Sequence, residues 1–349
     1  MTTAYIHYKK ILIALLAALI LLPILAISSQ AQQNDTQSSV GNIGIQISAP
    51  VYNFGIDPGG TAQDIIKVKN VSDSTQTFYP EVFDFKPIGE TGAPQFILNK
   101  ESENYTYSLA SWIKVSKEAM TLKPNESTAI NFTISVPKGA EPGGRYAGIL
   151  FGTSPPQTSG TQIAISNKVG SLILVRVSGA AKEAASLEEY STPNSFYEYL
   201  PAAFLVRVKN SGNVHVVPKG TIEIKNIFGQ TVATLDVNEK NGNVLPDSIR
   251  KFDKDNDGLV WGPSGLTIGY FTANLLLTYG EGTSKQITGS LSFWVLPWKL
   301  LLIVLLALVI ILLLIVWLIK RYNRWVVAKA EKGSGQQNNP PSQNSPPAQ

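Results

Sequence analysis

The sequence predicts an all-β protein: two tandem β-sandwiches followed by a single transmembrane helix. Three observations carry this. Apolar and polar residues alternate over many short runs separated by Pro and Gly turn signals. The pattern restarts after about position 180. Residues 300–319 form an apolar run without a charge, Gly or Pro.

The chain opens with the short segment 1–10 ending in Lys9-Lys10, an apolar stretch to Ile27, and small residues at Ser29 and Ala31. That order predicts a signal peptide over residues 1–31, cut after Ala31. Residues 32–42 are polar and rich in Gln and Ser, as a linker would be. Strand patterns begin at Ile43, Ile45 and Ile47 and continue over 64–70 and 171–178. The clearest runs over 128–136, where Ile130, Phe132, Ile134 and Val136 alternate with Asn131, Thr133 and Ser135. A period of two sustained this long marks a half-buried antiparallel strand. Residues 43–180 are therefore expected to form the first sandwich and 181–296 the second. Only 105–112 looks briefly helical.

The halves echo each other. Ile66-Lys-Val-Lys-Asn-Val-Ser72 matches Val206-Arg-Val-Lys-Asn-Ser-Gly212, each a strand running into an Asn/Ser turn. Gly144-Arg-Tyr-Ala-Gly-Ile-Leu150 and Gly269-Tyr-Phe-Thr-Ala-Asn-Leu275 both set a glycine and aromatics at the start of a late strand. Further strands are expected over 204–210, 221–227, 275–279 and 287–295, the last leading into Pro297 and the apolar run.

Twenty helical residues rise about 30 Å, the thickness of a bilayer's hydrocarbon core. A transmembrane helix is thus expected over 298–319. Lys320, Arg321, Arg324 and Lys329 follow it and predict a cytoplasmic C-terminal side, with the sandwiches outside the cell. Residues 320–349 read as a disordered, basic cytoplasmic tail. The 349-residue chain has net charge +4. Residues 32–297, however, carry 21 Lys and Arg against 24 Asp and Glu. The basic excess belongs to the membrane flanks, so no nucleic-acid partner is expected. With no Cys and only His7 and His215, thiol nucleophiles and multi-His metal sites are excluded.

One motif has chemistry in it. Asp253, Asp255 and Asp257 alternate before Gly258, a spacing that can wrap Ca²⁺. The twelfth position is Ser264 rather than Glu, and Pro263 precedes it. The competing reading is an acidic hairpin tip between Phe252 and Leu259. No other cofactor is expected. Glycosylation sequons occur at Asn70, Asn104, Asn125 and Asn131. Arg145 is expected to stack on the sandwich surface, and His215 to be an exposed strand residue. Trp112 is expected to anchor a core, while Trp261 could equally offer a sugar-stacking face.

Residues 51–70 (VYNFGIDPGGTAQDIIKVKN), 112–152 and 210–252, with the closing Phe293-Trp-Val-Leu-Pro-Trp298, resemble the WxL-interacting surface proteins of Gram-positive-type bacteria. The resemblance covers roughly residues 44–325 at the level of architecture. It implies two Ig-like sandwiches, a membrane helix, and binding to cell-wall peptidoglycan through the first domain and to a surface protein partner through the second. No ligand-contacting motif of that family falls on named positions here. The expectation is a non-enzymatic, membrane-anchored cell-surface protein. The alternative is a structural or chaperone-like module that pairs strands with other exported proteins. A glycan hydrolase is not expected, because no pair of acids stands out from the surface charge.

Overall fold

The computed structural model describes residues 44–97, 104–155, 168–263, 265–282 and 284–334. The expected signal peptide (1–31), linker (32–42), Ser264 and the tail beyond 334 lie outside the described residues.

In the first sandwich, one sheet has the order β1 (Ile45–Ile47), β3 (Thr61–Asn70), β8 (Ser127–Ser135), β6 (Ile113–Val115). The facing sheet runs β2 (Val51–Ile56), β10 (Val169–Val177), β9 (Gly143–Gly152), β4 (Gln76–Ile88), β5 (Ala93–Phe96). Off that path, β7 (Met120–Leu122) pairs with β4. The inward residues fuse the two sheets: Ile66, Ile130 and Phe132 from one side meet Ile149, Ile173 and Val175 from the other. Each such side chain removed from water contributes roughly 1.5–3 kcal/mol.

Among the described residues the second sandwich repeats this topology except for β6 and β7, which have no counterpart. Its small sheet is β11 (Ala185–Ser191), β14 (Leu205–Asn210), β17 (Ser248–Phe252). Its large sheet is β12 (Phe196–Tyr197), β20 (Lys285–Val295), β19 (Gly269–Tyr279), β15 (Lys219–Asn226), β16 (Thr231–Val237). A two-stranded pair, β13 (Ala202–Ala203) with β18 (Val260–Trp261), closes one side. In each half the first strand pairs antiparallel in the small sheet, and the chain then crosses to run parallel beside the last strand: β2 on β10, β12 on β20.

The sequence echoes have a structural cause. Asn70 and Asn210 are both fully buried. Asn70 donates through Nδ2 to the Ser74 and Leu122 carbonyls at 2.8 and 2.9 Å, and its Oδ1 accepts from the Ser72 N–H at 2.9 Å. Asn210 makes the same three bonds to Val214, Val244 and Gly212, at 2.8, 2.9 and 2.8 Å. Each Asn closes its turn and ties it to the next connection. Gly143 and Gly269 open the equivalent strands β9 and β19 with φ of +141° and +146°, a region that favours glycine.

The membrane segment departs from expectation at its far end. Helix α2 runs Trp298–Ser334, 37 residues, and the part up to Lys329 is long and apolar enough to cross a membrane. The tail expected to be disordered from 320 is therefore helical to Ser334. Extending an existing helix avoids the nucleation cost, and Lys, Arg and Ala sustain it. One-turn contacts brace it: Arg321 lies 5.2 Å from the Trp317 ring centroid, and Lys329 lies 5.1 Å from that of Trp325.

Candidate functional site: the junction of the two sandwiches

Strand β9 is buried on both faces. One face fills the first core. The other carries Tyr146 into a second cluster with Phe85, Leu174 and Leu245, the last of these from the second sandwich. Tyr146 is fully buried, and its hydroxyl lies 3.3 Å from His215 Nδ1. Burial raises its phenol well above the ordinary value, so it stays neutral. Tyr107 packs on Tyr146 and donates to Asp247 Oδ2 at 2.8 Å. Beside it, the Asp84 carboxylate accepts from Ser108 Oγ and the Leu109 and Ala110 N–H groups, which fixes the short 3-10 turn Ala110–Trp112.

Polar bonds pin the junction at both ends. Asn213 accepts from the Gly144 N–H at 2.7 Å and donates to the Pro142 carbonyl at 3.1 Å. A Cβ on Gly143 would stand 2.9 Å from the Asn213 carbonyl, so the close approach needs glycine there. At the other end the tip of the β4–β5 hairpin reaches β17. Glu90 grips Arg207 through two bonds of 2.8 and 2.5 Å, and its carbonyl accepts from the Lys251 N–H at 2.7 Å. The connector between the sandwiches is held too, since the Lys182 N–H donates to Asn213 Oδ1 at 2.7 Å.

Between the sandwiches lies a cleft of about 410 Å³, bordered by Asn53, Arg176, Glu183, His215, Asn243 and Glu281, among others. Arg176 joins Glu183 at 2.5 Å and Glu281 at 3.4 Å. Burial works against the Glu183 carboxylate, but the bonds from Arg176 and the Glu281 N–H outweigh it and hold its pKa below the usual range. Asn243 Oδ1 is buried in the wall with no hydrogen-bond partner among the described residues.

One cleft border is a sheet edge. Among the described residues β2 is paired on one side only, to β10. Leu172 N–H donates to the Pro50 carbonyl and Ser178 N–H to that of Ile56, at 2.8 and 3.0 Å. With that parallel register, the N–H and C=O groups of Val51, Asn53 and Gly55 face away from the sheet. The Asn53 side chain borders the cleft, on the face opposite Tyr52 and Phe54, which pack on the first core.

The sequence-derived candidates fare differently. Asp253, Asp255 and Asp257 lie in and beside a single helical turn, α1 (Lys254–Asp257). Asp253 caps it, accepting from the Asp255 and Asn256 N–H groups at 3.1 and 3.0 Å, and its other oxygen pairs with Lys251 at 2.7 Å. Asp257 Oδ2 accepts from the Asp253 N–H at 3.2 Å. Among the described residues no three carboxylate or imidazole groups converge where a metal could sit, so the calcium expectation has no assembled ligand set. His215, expected to be exposed, is held in the junction beside Tyr146. Arg145 stacks on Trp112, its guanidinium carbon 5.6 Å from the ring centroid. Trp261 is buried between Phe271 and Phe293. Asn70, a sequon, is structural. The junction is not legible in the sequence because His215 and Tyr146 lie 69 positions apart and no motif links them.

Burial pushes His215 down to about 4, with Arg176 adding to the effect and Glu183 opposing it. The unfolded imidazole titrates near 6.5, so between about pH 6.5 and 4 the unfolded chain binds a proton that the fold refuses. Stability conferred at neutral pH is lost as pH falls through that window, by up to about 1.4 kcal/mol per pH unit. Denaturant unfolding from pH 7 to 4 is expected to show this slope, and His215→Gln to reduce it.

The fold and junction define a class: a two-sandwich, Ig-like protein with one apolar helix long enough to span a membrane. No family model matches the chain, and no curated protein matches it. Among solved structures it is similar to the class 5 fimbriae chaperone CfaA, at 15% identity over 71% of this chain and 98% of that one, TM-score 0.35. It is similar to the chaperone DraB of E. coli, at 15% identity over 71% and 98%, TM-score 0.31. It is also similar to a chain of the CsuC–CsuE chaperone–tip adhesion subunit complex of Acinetobacter baumannii, at 13% identity over 70% and 97%, TM-score 0.33. These are distant likenesses, and neither a partner nor an activity follows from them.

Proposed function

We propose that this is a non-enzymatic, membrane-anchored cell-surface protein that holds a protein partner by strand addition. The carrying observation is the outer edge of β2: three residues with outward N–H and C=O groups, leading into the cleft at Asn53. An extended segment laid there would gain main-chain hydrogen bonds from the edge and side-chain selection from the cleft. The junction keeps edge and cleft in one geometry, which lowers the ordering cost of binding. The positive flank of α2 supports a cytoplasmic C-terminal end with the sandwiches outside.

Kinship with the WxL-interacting surface proteins is part of this proposal and fits the order of two sandwiches and a helix. Wall-polymer binding by the first domain is the weaker component. Arg145 covers a face of Trp112, and Trp261 lies in a core, so neither offers a sugar a free aromatic face. A photo-crosslinking residue at position 55, where an added Cβ meets nothing within 4 Å, activated in the native envelope, is expected to give discrete protein adducts. Asn53→Pro, which removes an outward N–H without breaking a sheet bond, is expected to abolish them. Adducts to polymer alone, or none, would sink the strand-addition reading.

A further inference from the structure

The second sandwich carries most of its exposed large apolar residues at one end, Leu276 of β19 being an exception. The pairing register puts Gly269 of β19 opposite Val295 of β20, and Asn226 of β15 opposite Phe271. The β15–β16 turn, with Ile227 and Phe228, therefore lies level with the last residues before the helix. So do Leu266 and Ile268, in the segment 265–268 that leads into β19. Because β12 runs parallel to β20, with Tyr197 beside Val295, Tyr199 follows at the same end and Phe196 stands next to Trp294. Phe228 is 84% exposed and Leu266 62%, and Ile227, Ile268, Tyr199 and Trp294 are exposed as well. Such side chains on one rim form a surface that a soluble domain would not leave in water.

Charge follows the same division. Residues 226–230 and 262–268 contain no Lys, Arg, Asp or Glu. Beside the rim, Glu198 is paired with Lys299 of α2 at 2.8 Å, so the ion pair straps the rim to the helix, while Glu223 further back on β15 is paired with Lys225 at 3.1 Å. At the opposite end, the connections after β16 and β19 carry Glu239, Lys240 and Glu281, and Lys285 opens β20. Only Leu296 and Pro297 separate β20 from α2, and Trp298 N–H donates to the Leu296 carbonyl at 2.8 Å. The rim is continuous with the start of the membrane segment and has no stalk to lift it away.

We infer that this rim is a membrane-contacting collar: the Ile227-Phe228 tip and the Leu266–Ile268 loop enter the headgroup–acyl boundary around α2. Aromatic and aliphatic side chains beside a span suit that zone, where one end of the ring is apolar and the other wet. The collar would hold the second sandwich at a fixed tilt and height, so that the cleft and β2 stand at a set distance from the lipid. The inference rests on reading α2 as a membrane span.

The chain has no cysteine, so single labels are clean. The full chain carrying Phe228→Cys, Leu266→Cys or Glu239→Cys, each with an environment-sensitive dye, would be reconstituted into phosphatidylcholine vesicles and floated on a density gradient. The expected result is co-flotation, with blue-shifted emission and loss of intensity to nitroxide-labelled lipid at 228 and 266 and neither change at 239. Co-flotation with both rim labels in water would overturn the collar and leave the anchor standing. Blue-shifted labels that lipid nitroxides fail to quench would place the rim against protein, a second copy included, and would also overturn it. Failure to float would overturn the anchor and the collar together.

Discussion

Tyr146→Ala is expected to lower the unfolding free energy by about 3–5 kcal/mol and to separate the unfolding of the two sandwiches. Tyr146 is fully buried between Phe85, Tyr107 and Leu174 of its own half and Leu245 and His215 of the other. Truncation leaves a ring-sized void that strands on both sides are too constrained to close. Tyr146→Phe keeps the ring and loses only the contact with His215, so its expected cost is about 1 kcal/mol. Urea unfolding of the detergent-solubilised chain, followed by tryptophan emission and far-ultraviolet dichroism, checks both. Coincident wild-type transitions that split in Tyr146→Ala support coupling through this side chain. An Ala variant that unfolds like the wild type would mean that the junction's polar bonds couple the halves without it.

Asn210→Ala should cost on the order of 3 kcal/mol or more, because three buried backbone groups lose their partner and each unpaired group costs about 1–3 kcal/mol. The carbonyls of Val214 and Val244 and the N–H of Gly212 have no water to turn to in a site that is fully buried. Asn70→Ala is expected to cost the same amount in the first sandwich. Asn→Asp separates the roles, since Asp keeps the acceptor but cannot make the two donations. Each Asp variant should therefore fall nearer to Ala than to wild type at neutral pH. Thermal unfolding of the four variants measures this. Equal stability of wild type and Asn210→Ala would show that the turn holds without its side chain.

The strands most legible in the sequence are those with one wet face. Over β8, alternation at Ile130, Phe132 and Ile134 is the direct image of one buried and one solvated side. Strand β4 was not legible. Its Phe83, Asp84 and Phe85 are buried in succession, because the core covers one face and the segment around Tyr105 and Tyr107 covers the other. With both faces covered, a period of two no longer marks the strand. The paired segments around Asn70 and Asn210 were visible as an echo, but not as two copies of one buried hydrogen-bond device. The acidic run 253–258 allowed both a metal loop and an acidic hairpin tip, because spacing is all a sequence offers. Folding assigned Asp253 to a helix cap and to Lys251.

What the sequence determined by itself is local: period-two strands, the turns between them, the repeat, and an apolar helix long enough for a bilayer. Those depend on residues within a few positions of one another. The tertiary structure alone decided the junction and the rim. Tyr146 and His215 meet, β2 is paired on one side only among the described residues, with its other edge beside the cleft, and Phe228 comes level with Trp294. Each of these depends on strand register between residues tens of positions apart, and no local pattern records such pairings.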